Sequence, residues 1–283
     1  MTPFDIQYQQ VLKDVIETGA EEKNKRTGVV IKALPGKTIT VPPEAGFPAL
    51  TLRKMSIPVM VAEPLWFLTG SRRPDEFLNH FTKMWDDFEN IDGSVTAAYG
   101  YRWRHHYGRD QIELLIRMLE DDKTSRHGVV ITWDPASDGL GGISKKNVPC
   151  PYTFVVNIID NKLNMHNVIR SQDLIPGCPF DATTFSLLQR LFAARLGVEV
   201  GTYSHWLAHA HVYAPHYEIA QELLSRTNDH KPMQFKLKRK HFDTAMAGLE
   251  DIDALVEVAK EIIDIIKPVY NPLPPIKGIP IIL

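Results

Sequence analysis

The chain has 283 residues, 44% of them hydrophobic and 23% charged, with a formal net charge of −2. This supports a real core in one large domain or two small ones, and it gives no global electrostatic case for nucleic acid or an anionic membrane as partner. Only two cysteines, Cys150 and Cys178, argue against a disulfide framework and for a reducing, cytoplasmic setting. The opening MTPFDIQYQQ lacks a basic-then-apolar signal, and the longest apolar run, IPVMVAEPLWFL, is broken by Glu63 and Pro64 and too short to span a bilayer.

In chain order, TPFDIQYQQVLKDVIETGA predicts a first helix with Thr2 as N-cap, Pro3 at the first helical position and Gly19 at the end. Phe4, Tyr8, Val11, Leu12, Val15 and Ile16 share one face of it. KRTGVVIKAL reads as a loop into a strand. MSIPVMVAEPLWFLTG, apolar nearly all round, reads as a buried helix. PDEFLNHFTKMW and RDQIELLIRMLED read as amphipathic helices. The period then changes: GVVITWD, YTFVVNII and KLNMHNVI read as strands, with a tight DNK hairpin between the last two. ATTFSLLQRLFAARLG is a long helix, EVGTYSHWLAHAHVY a strand region, and about Pro215 to Leu224 a helix. QFKLKRK is expected as a short strand and LEDIDALVEVAKEIIDII as a late helix. The Pro-rich tail cannot be regular. No linker divides the chain, so the expectation is a single α+β domain over 1–283, with a mixed sheet packed on one face by helices.

Several residues have the character of a site. Cys150, between Pro149 and Pro151, is either a buried core thiol or a nucleophile presented at a loop end; a nucleophile needs positive charge nearby, and Arg170 and Arg126 are candidates. Arg170 and Ser171 end a strand, where a guanidinium and a hydroxyl suit a phosphate or face solvent. KRTG and TSRHG place two more arginines beside hydroxyls, and three such turns suggest a phosphorylated ligand. His209, His211 and Tyr213 would share one strand face, while the spacing of the histidines fits a metal site poorly. Glu63 inside an apolar helix must be paired or hold a raised pKa, which makes it an acid/base candidate.

Together these pieces resemble the thymidylate synthase family. The stretches KRTG, GFPALTLRK, AEPLWFLTG, MWDD, AYGYRWR, TSRHGVVITWDP, VPCPY, IRSQDLIPGCPFD, HAHVY and YNPLPPIKGIPI follow the family's order, from about residue 20 to the C-terminus, with a patchy match from about 240 to 267. The resemblance implies a thymidylate synthase-like α+β fold whose sheet face makes a homodimer. It implies a pyrimidine nucleoside monophosphate as substrate and 5,10-methylenetetrahydrofolate as co-substrate, without a metal. By it, Cys150 attacks C6 of the pyrimidine. Arg26, Arg170 and Ser171 hold the phosphate, joined by Arg126 from the partner subunit. His211 and Tyr213 bind the sugar, and Glu63 and Tyr99 organise water and proton transfer. Trp85, Asp173, Gly177, Arg53 and Lys54 belong to the folate site.

The sequence departs from the synthases in three places. Pro151 follows the nucleophile where they have His, His127 stands where they have a second Arg, and PFD replaces PFN. The synthase Asn reads uracil. Cytosine presents the reverse donor–acceptor order, which a carboxyl group at Asp181 can meet. Asp181 is otherwise an N-cap for the following helix. Asp at this position resembles the cytidylate hydroxymethylase branch, which implies conversion of CMP or dCMP to the 5-hydroxymethyl nucleotide. The alternatives are a synthase or hydroxymethylase acting on uridylate, and a non-catalytic nucleotide-binding relative.

Overall fold

In a computed structural model describing residues 1–140 and 148–282, Thr2 caps helix α1 (Pro3–Thr18). The Thr2 hydroxyl accepts from the Asp5 amide at 3.1 Å, and Asp5 Oδ2 accepts the Thr2 amide at 3.0 Å. This reciprocal box satisfies donors the helix leaves unpaired. The same Asp5 carboxylate accepts the Thr51 amide at 2.9 Å and the Thr51 hydroxyl at 2.7 Å, so the start of α1 also anchors the loop that carries Arg53.

Among the described residues the sheet has seven strands: β1 (Ala20–Lys23), β2 (Val30–Val41), β3 (Val129–Ile131), β4 (Pro151–Ile159), β5 (Lys162–Ile169), β6 (Gln172–Asp173) and β7 (Glu199–Tyr213). They run in the order β1-β2-β7-β5-β4-β3, with β6 also pairing β7. Asp160 and Asn161, both at positive φ, make the tight β4–β5 hairpin; Asn and Asp tolerate this conformation. β5 and β7 are parallel, so the chain must cross over between them, and helix α5 (Gly177–Leu196) lies in that crossover. The sheet is therefore mixed, as expected.

α1 and α5 pack on one face, against β2, β5 and β7. Leu163, Met165 and Ile169 of β5 point into this core, whereas Asn164, His166 and Val168 alternate to the other side and stay half-buried. On that other side Val129, Ile131 and Trp206 are exposed. The buried helix α2 (Ile57–Thr69) lies behind the core, and a short turn α3 (Tyr99–Tyr101) runs into a π-helical stretch, Arg102–His106. Trp103 of this stretch meets Phe154 and Phe185 edge-on at 5.3 and 6.0 Å between ring centres. Such pairs contribute about 0.5–1.5 kcal/mol each beyond burial. The remaining helices are α4 (Gln111–Asp121), α6 (Tyr217–Ser225), α7 (Arg239–Met246) and α8 (Ile252–Ile266).

Three expectations need correction. PDEFLNHFTKMW is not one helix but short 3-10 turns, Pro74–Glu76 and Leu78–His80, broken at Phe77. Phe77 and Leu78 are both fully buried, and their packing overrides the helical spacing. QFKLKRK pairs with no strand. Phe235 and Leu237 are still half-buried between exposed neighbours, but they pack against the core, Phe235 edge-on to Phe47 at 5.2 Å, and not in the ladder, and Arg239 already begins α7. Most consequentially, α5 begins at Gly177, with Pro176 as its N-cap, and not at Ala182. Asp181 therefore lies inside the helix and caps nothing.

Candidate active site

The ends of β2, β5, β6 and β7, with α2, α3 and the start of α5, enclose a cavity of about 710 Å³. Cys150 precedes β4 at its rim, beside a β-bulge between Pro151 and Thr153. Arg170, just past β5, fixes this loop. Its amide donates to the Cys150 carbonyl at 2.9 Å, its Nε to Pro149 O at 2.8 Å and its Nη2 to Val148 O at 2.9 Å. The same Nη2 lies 3.9 Å from Cys150 Sγ. Burial pushes the thiol's pKa up and the Arg170 charge pulls it down. A thiolate here depends on that guanidinium.

Three carboxyl groups line the cavity. Glu63, on α2, accepts from Trp85 Nε1 at 2.8 Å and from the Thr184 hydroxyl at 2.6 Å; burial raises its pKa against both bonds. Asp181 Oδ2 accepts from Gln172 Nε2 at 2.8 Å, and burial raises its pKa to about 7. Asp173, on β6, accepts the Ile175 amide at 2.9 Å and is likewise raised to about 7 by burial. Parallel pairing of β6 with β7 sets Asp173 opposite His211. Tyr99 hydrogen-bonds the Cys150 backbone and stays protonated because it is buried.

A second group of cavity residues lies on β7 and the β1–β2 loop. His209, His211 and Tyr213 share a face of β7 as the strand period requires, with successive ring centres 5.3 and 5.1 Å apart. Burial holds His211 neutral, with a pKa of about 4. Arg26, in the β1–β2 loop, hydrogen-bonds Tyr213. The tail closes the wall: His216 Nε2 donates to Pro280 O at 2.8 Å, and Ile279, Ile281 and Ile282 line the cavity.

A thymidylate synthase family description matches residues 6–269. The chain belongs to the thymidylate synthase family. The match begins before residue 20 and continues through 240–267, the stretch where the sequence motifs are patchy. Membership makes the chain a folate-dependent one-carbon transferase acting at C5 of a pyrimidine.

Of the residues singled out from the sequence, Arg26, Arg53, Glu63, Trp85, Tyr99, Cys150, Arg170, Ser171, Asp173, Gly177, Asp181, His211 and Tyr213 all line this one cavity. Two do not. Lys54 is exposed and points away, because its neighbour Arg53 takes the inward position and donates to Ile175 O at 3.0 Å. Arg126 is exposed on the loop before β3, outside the cavity of its own chain. The cavity fits a family ligand pair in its chemistry: Met84, Trp85 and Phe88 offer an apolar wall for a fused ring, and buried Asp173 offers an acceptor for ring N–H groups.

Sequence reasoning missed Gln172 and Thr184, which hold Asp181 and Glu63, and Trp133, whose ring lies 5.5 Å from the Arg170 guanidinium. The signal for Gln172 was its place in the RSQD run, since an amide between a phosphate-binding turn and a carboxylate has polar work on both sides. Thr184 carried no such mark. Among the described residues, no group of three His, Cys, Asp or Glu side chains is arranged to hold a metal.

Proposed function

We propose that this chain hydroxymethylates C5 of a cytosine nucleotide, CMP or dCMP, through a covalent Cys150–C6 adduct. The observation that carries the reading is Asp181. It shares the cavity with Cys150, it is free of any capping duty, and its burial keeps a proton available near neutrality. A neutral carboxyl group donates to cytosine N3 and accepts from the 4-amino group.

Cys150 adds as thiolate to C6 while Asp181 passes its proton to N3, so the negative charge arriving from sulfur does not accumulate on the buried ring. Arg170 stabilises the thiolate before attack and again when it departs. Methylenetetrahydrofolate, when bound, supplies the one-carbon unit to the nucleophilic C5. Tyr99, a protonated phenol beside the Cys150 backbone, relays the C5 proton. Glu63, fixed by Trp85 and Thr184, orders the water that adds to the exocyclic carbon as sulfur is expelled from C6. Arg26, Arg170 and Ser171 take the phosphate, and His211 and Tyr213 the sugar.

The uncovered sheet face, with Val129, Ile131 and Trp206, is the proposed homodimer surface. It carries Arg126 at its margin, from where that side chain reaches the partner's phosphate. The two free thiols agree with a reducing cytoplasm.

The test is incubation of purified protein with methylenetetrahydrofolate and CMP, dCMP or dUMP, identifying both products. Hydroxymethylated cytidylate with tetrahydrofolate is expected. Turnover of dUMP alone, with dihydrofolate released, overturns the cytosine assignment, and undiminished activity in Cys150→Ala overturns the covalent route.

A further inference from the structure

We propose that Gln172 is a positioning residue whose amide, oriented by His205 and Tyr203, decides which oxygen of Asp181 accepts and which donates, and so sets the preference for cytosine over uracil. The base named here rests on the cytosine reading above; the orienting role does not.

The orientation follows from donor and acceptor inventory alone. Gln172 Nε2 lies 2.8 Å from Asp181 Oδ2 and 3.3 Å from the Asp173 main-chain oxygen. A carbonyl oxygen only accepts, so this end of the side chain is the NH₂. Gln172 Oε1 then faces His205 Nε2 at 3.0 Å, which must carry the ring proton. His205 Nδ1 is left as an acceptor, and the Tyr203 hydroxyl donates to it at 2.8 Å. Gln172, His205 and Tyr203 are at most 2% exposed, so bulk water does not compete for these bonds. Burial also keeps His205 neutral, with a pKa of about 3, as a ring with one proton requires. Gly177 makes the arrangement possible, since a Cβ there would sit 2.9 Å from Gln172 Nε2.

This chain of bonds removes an ambiguity that Asp181 alone cannot. A neutral carboxyl group has one O–H and one C=O, and the proton can sit on either oxygen. With the O–H at N3 and the C=O at the 4-amino group it reads cytosine. With the O–H at O4 and the C=O at N3–H it reads uracil equally well. The Gln172 N–H donates to Oδ2, and because a carbonyl oxygen accepts more strongly than a carboxylic O–H, this favours Oδ2 as acceptor and the proton on Oδ1. With Oδ2 toward the 4-position, the 4-amino group is accepted, and O4 of uracil meets a second acceptor. Discrimination then comes from Gln172 acting through Asp181.

The experiment measures dissociation constants for CMP and UMP by calorimetry without folate, in the wild type, Gln172→Met and Tyr203→Phe. Methionine keeps the length and removes the amide; phenylalanine removes only the hydroxyl at the far end. The CMP-over-UMP ratio is expected to fall about tenfold or more in Gln172→Met, the scale of one buried mismatch, and in the same direction in Tyr203→Phe. A purely structural role would weaken both nucleotides together, and an unchanged ratio in folded variants overturns the proposal. If Gln172→Met does not fold, Tyr203→Phe decides. If the wild type prefers UMP and the variants lose that preference, the positioning role stands and the cytosine reading falls.

Discussion

Replacing Asp181 with Asn gives an informative perturbation, because asparagine has a fixed donor and a fixed acceptor where the carboxyl group can exchange them. In Asp181→Asn, one end of the new amide must face Gln172 Nε2, 2.8 Å from the present Oδ2. If that end is the NH₂, two donors meet in a buried site, at a cost of about 1–3 kcal/mol. The carbonyl therefore stays at Gln172 and the NH₂ turns toward N3, the same polarity as neutral Asp181. The single variant should keep its preference for cytosine despite carrying the residue that reads uracil in the synthases. Only Asp181→Asn/Gln172→Met should release the amide to turn over and favour uracil, with a coupling in the double-mutant cycle of about 1–3 kcal/mol, roughly 5- to 150-fold. The assay is the CMP-over-UMP affinity ratio at pH 6 and pH 8, which cancels ionisation of the shared phosphate. In the wild type the ratio should fall as pH rises through about 7, where Asp181 loses the proton that N3 needs, while in Asp181→Asn it should be flat. A switch to uracil in the single variant, with Gln172 intact, would refute the reasoning.

The same carboxyl group gives a stability prediction. Asp181 titrates at about 7 folded against 3.8 for the free side chain, so its protonated form is favoured in the fold and its contribution is fully present below pH 4. That contribution is lost as pH rises to about 7 and is constant above. Unliganded Asp181→Asn should match the wild type at pH 4 and exceed it at pH 8 by up to about 4 kcal/mol in denaturant unfolding; equal stability at both pH values would contradict the raised pKa. In Glu63→Gln, the side-chain oxygen can stay on Trp85 Nε1 and the new NH₂ can donate to the Thr184 hydroxyl, so the melting temperature should change little while kcat falls about 10²- to 10⁴-fold. A fall in stability with normal kcat would make Glu63 structural. Arg170→Met should move the pH profile of Cys150 alkylation upward, because the guanidinium that pulls the thiol's pKa down is gone; buried Cys178 serves as the unreactive control.

Much of the fold was legible because local signals and packing agree. Thr2 with Pro3 supplies a capping hydroxyl and a preset first helical φ, the DNK turn and Gly197 take left-handed conformations that few residues adopt readily, and all of them occur where expected. The failures came where burial overrode spacing, at Phe77–Leu78 and in QFKLKRK. The site itself was legible as a set of residues but not as a geometry. Cys150, Arg170 and Asp181 could be named from motifs, yet their mutual charge effects depend on a shared buried volume that no motif encodes. The start of α5 shows the point most sharply. GCPFD reads as a loop because Gly and Pro punctuate it, but Pro179 falls in the first turn, where its missing N–H costs nothing. That shift turns Asp181 from a capping residue into a side chain directed at the cavity.

On the proposed reading, the charged groups of the cavity bear on the direction in which a nucleotide enters. Arg26 bonds Tyr213 and Arg170 lies against Cys150; Glu63 and Asp181 interact with each other; and Asp173, opposite His211, is coupled to both Tyr213 and Asp181. A dianionic phosphate beside Glu63 and Asp181 would be repelled or would force both to stay protonated, whereas a guanidinium suits it. In the proposed complex the base points at Asp181, and Cys150, 3.9 Å from Arg170 and electrostatically coupled to Asp181, stands beside it. C6 of a pyrimidine lies on the sugar-proximal side of the ring, and N3 and the 4-substituent on the far side. In the proposed complex a nucleotide with its phosphate at Arg170 thus presents C6 to sulfur and its Watson–Crick edge to the acid in a single pose. Burial raises the pKa of both the Cys150 thiol and the Asp181 acid, and of the two only the thiol has a neighbouring guanidinium that opposes the rise.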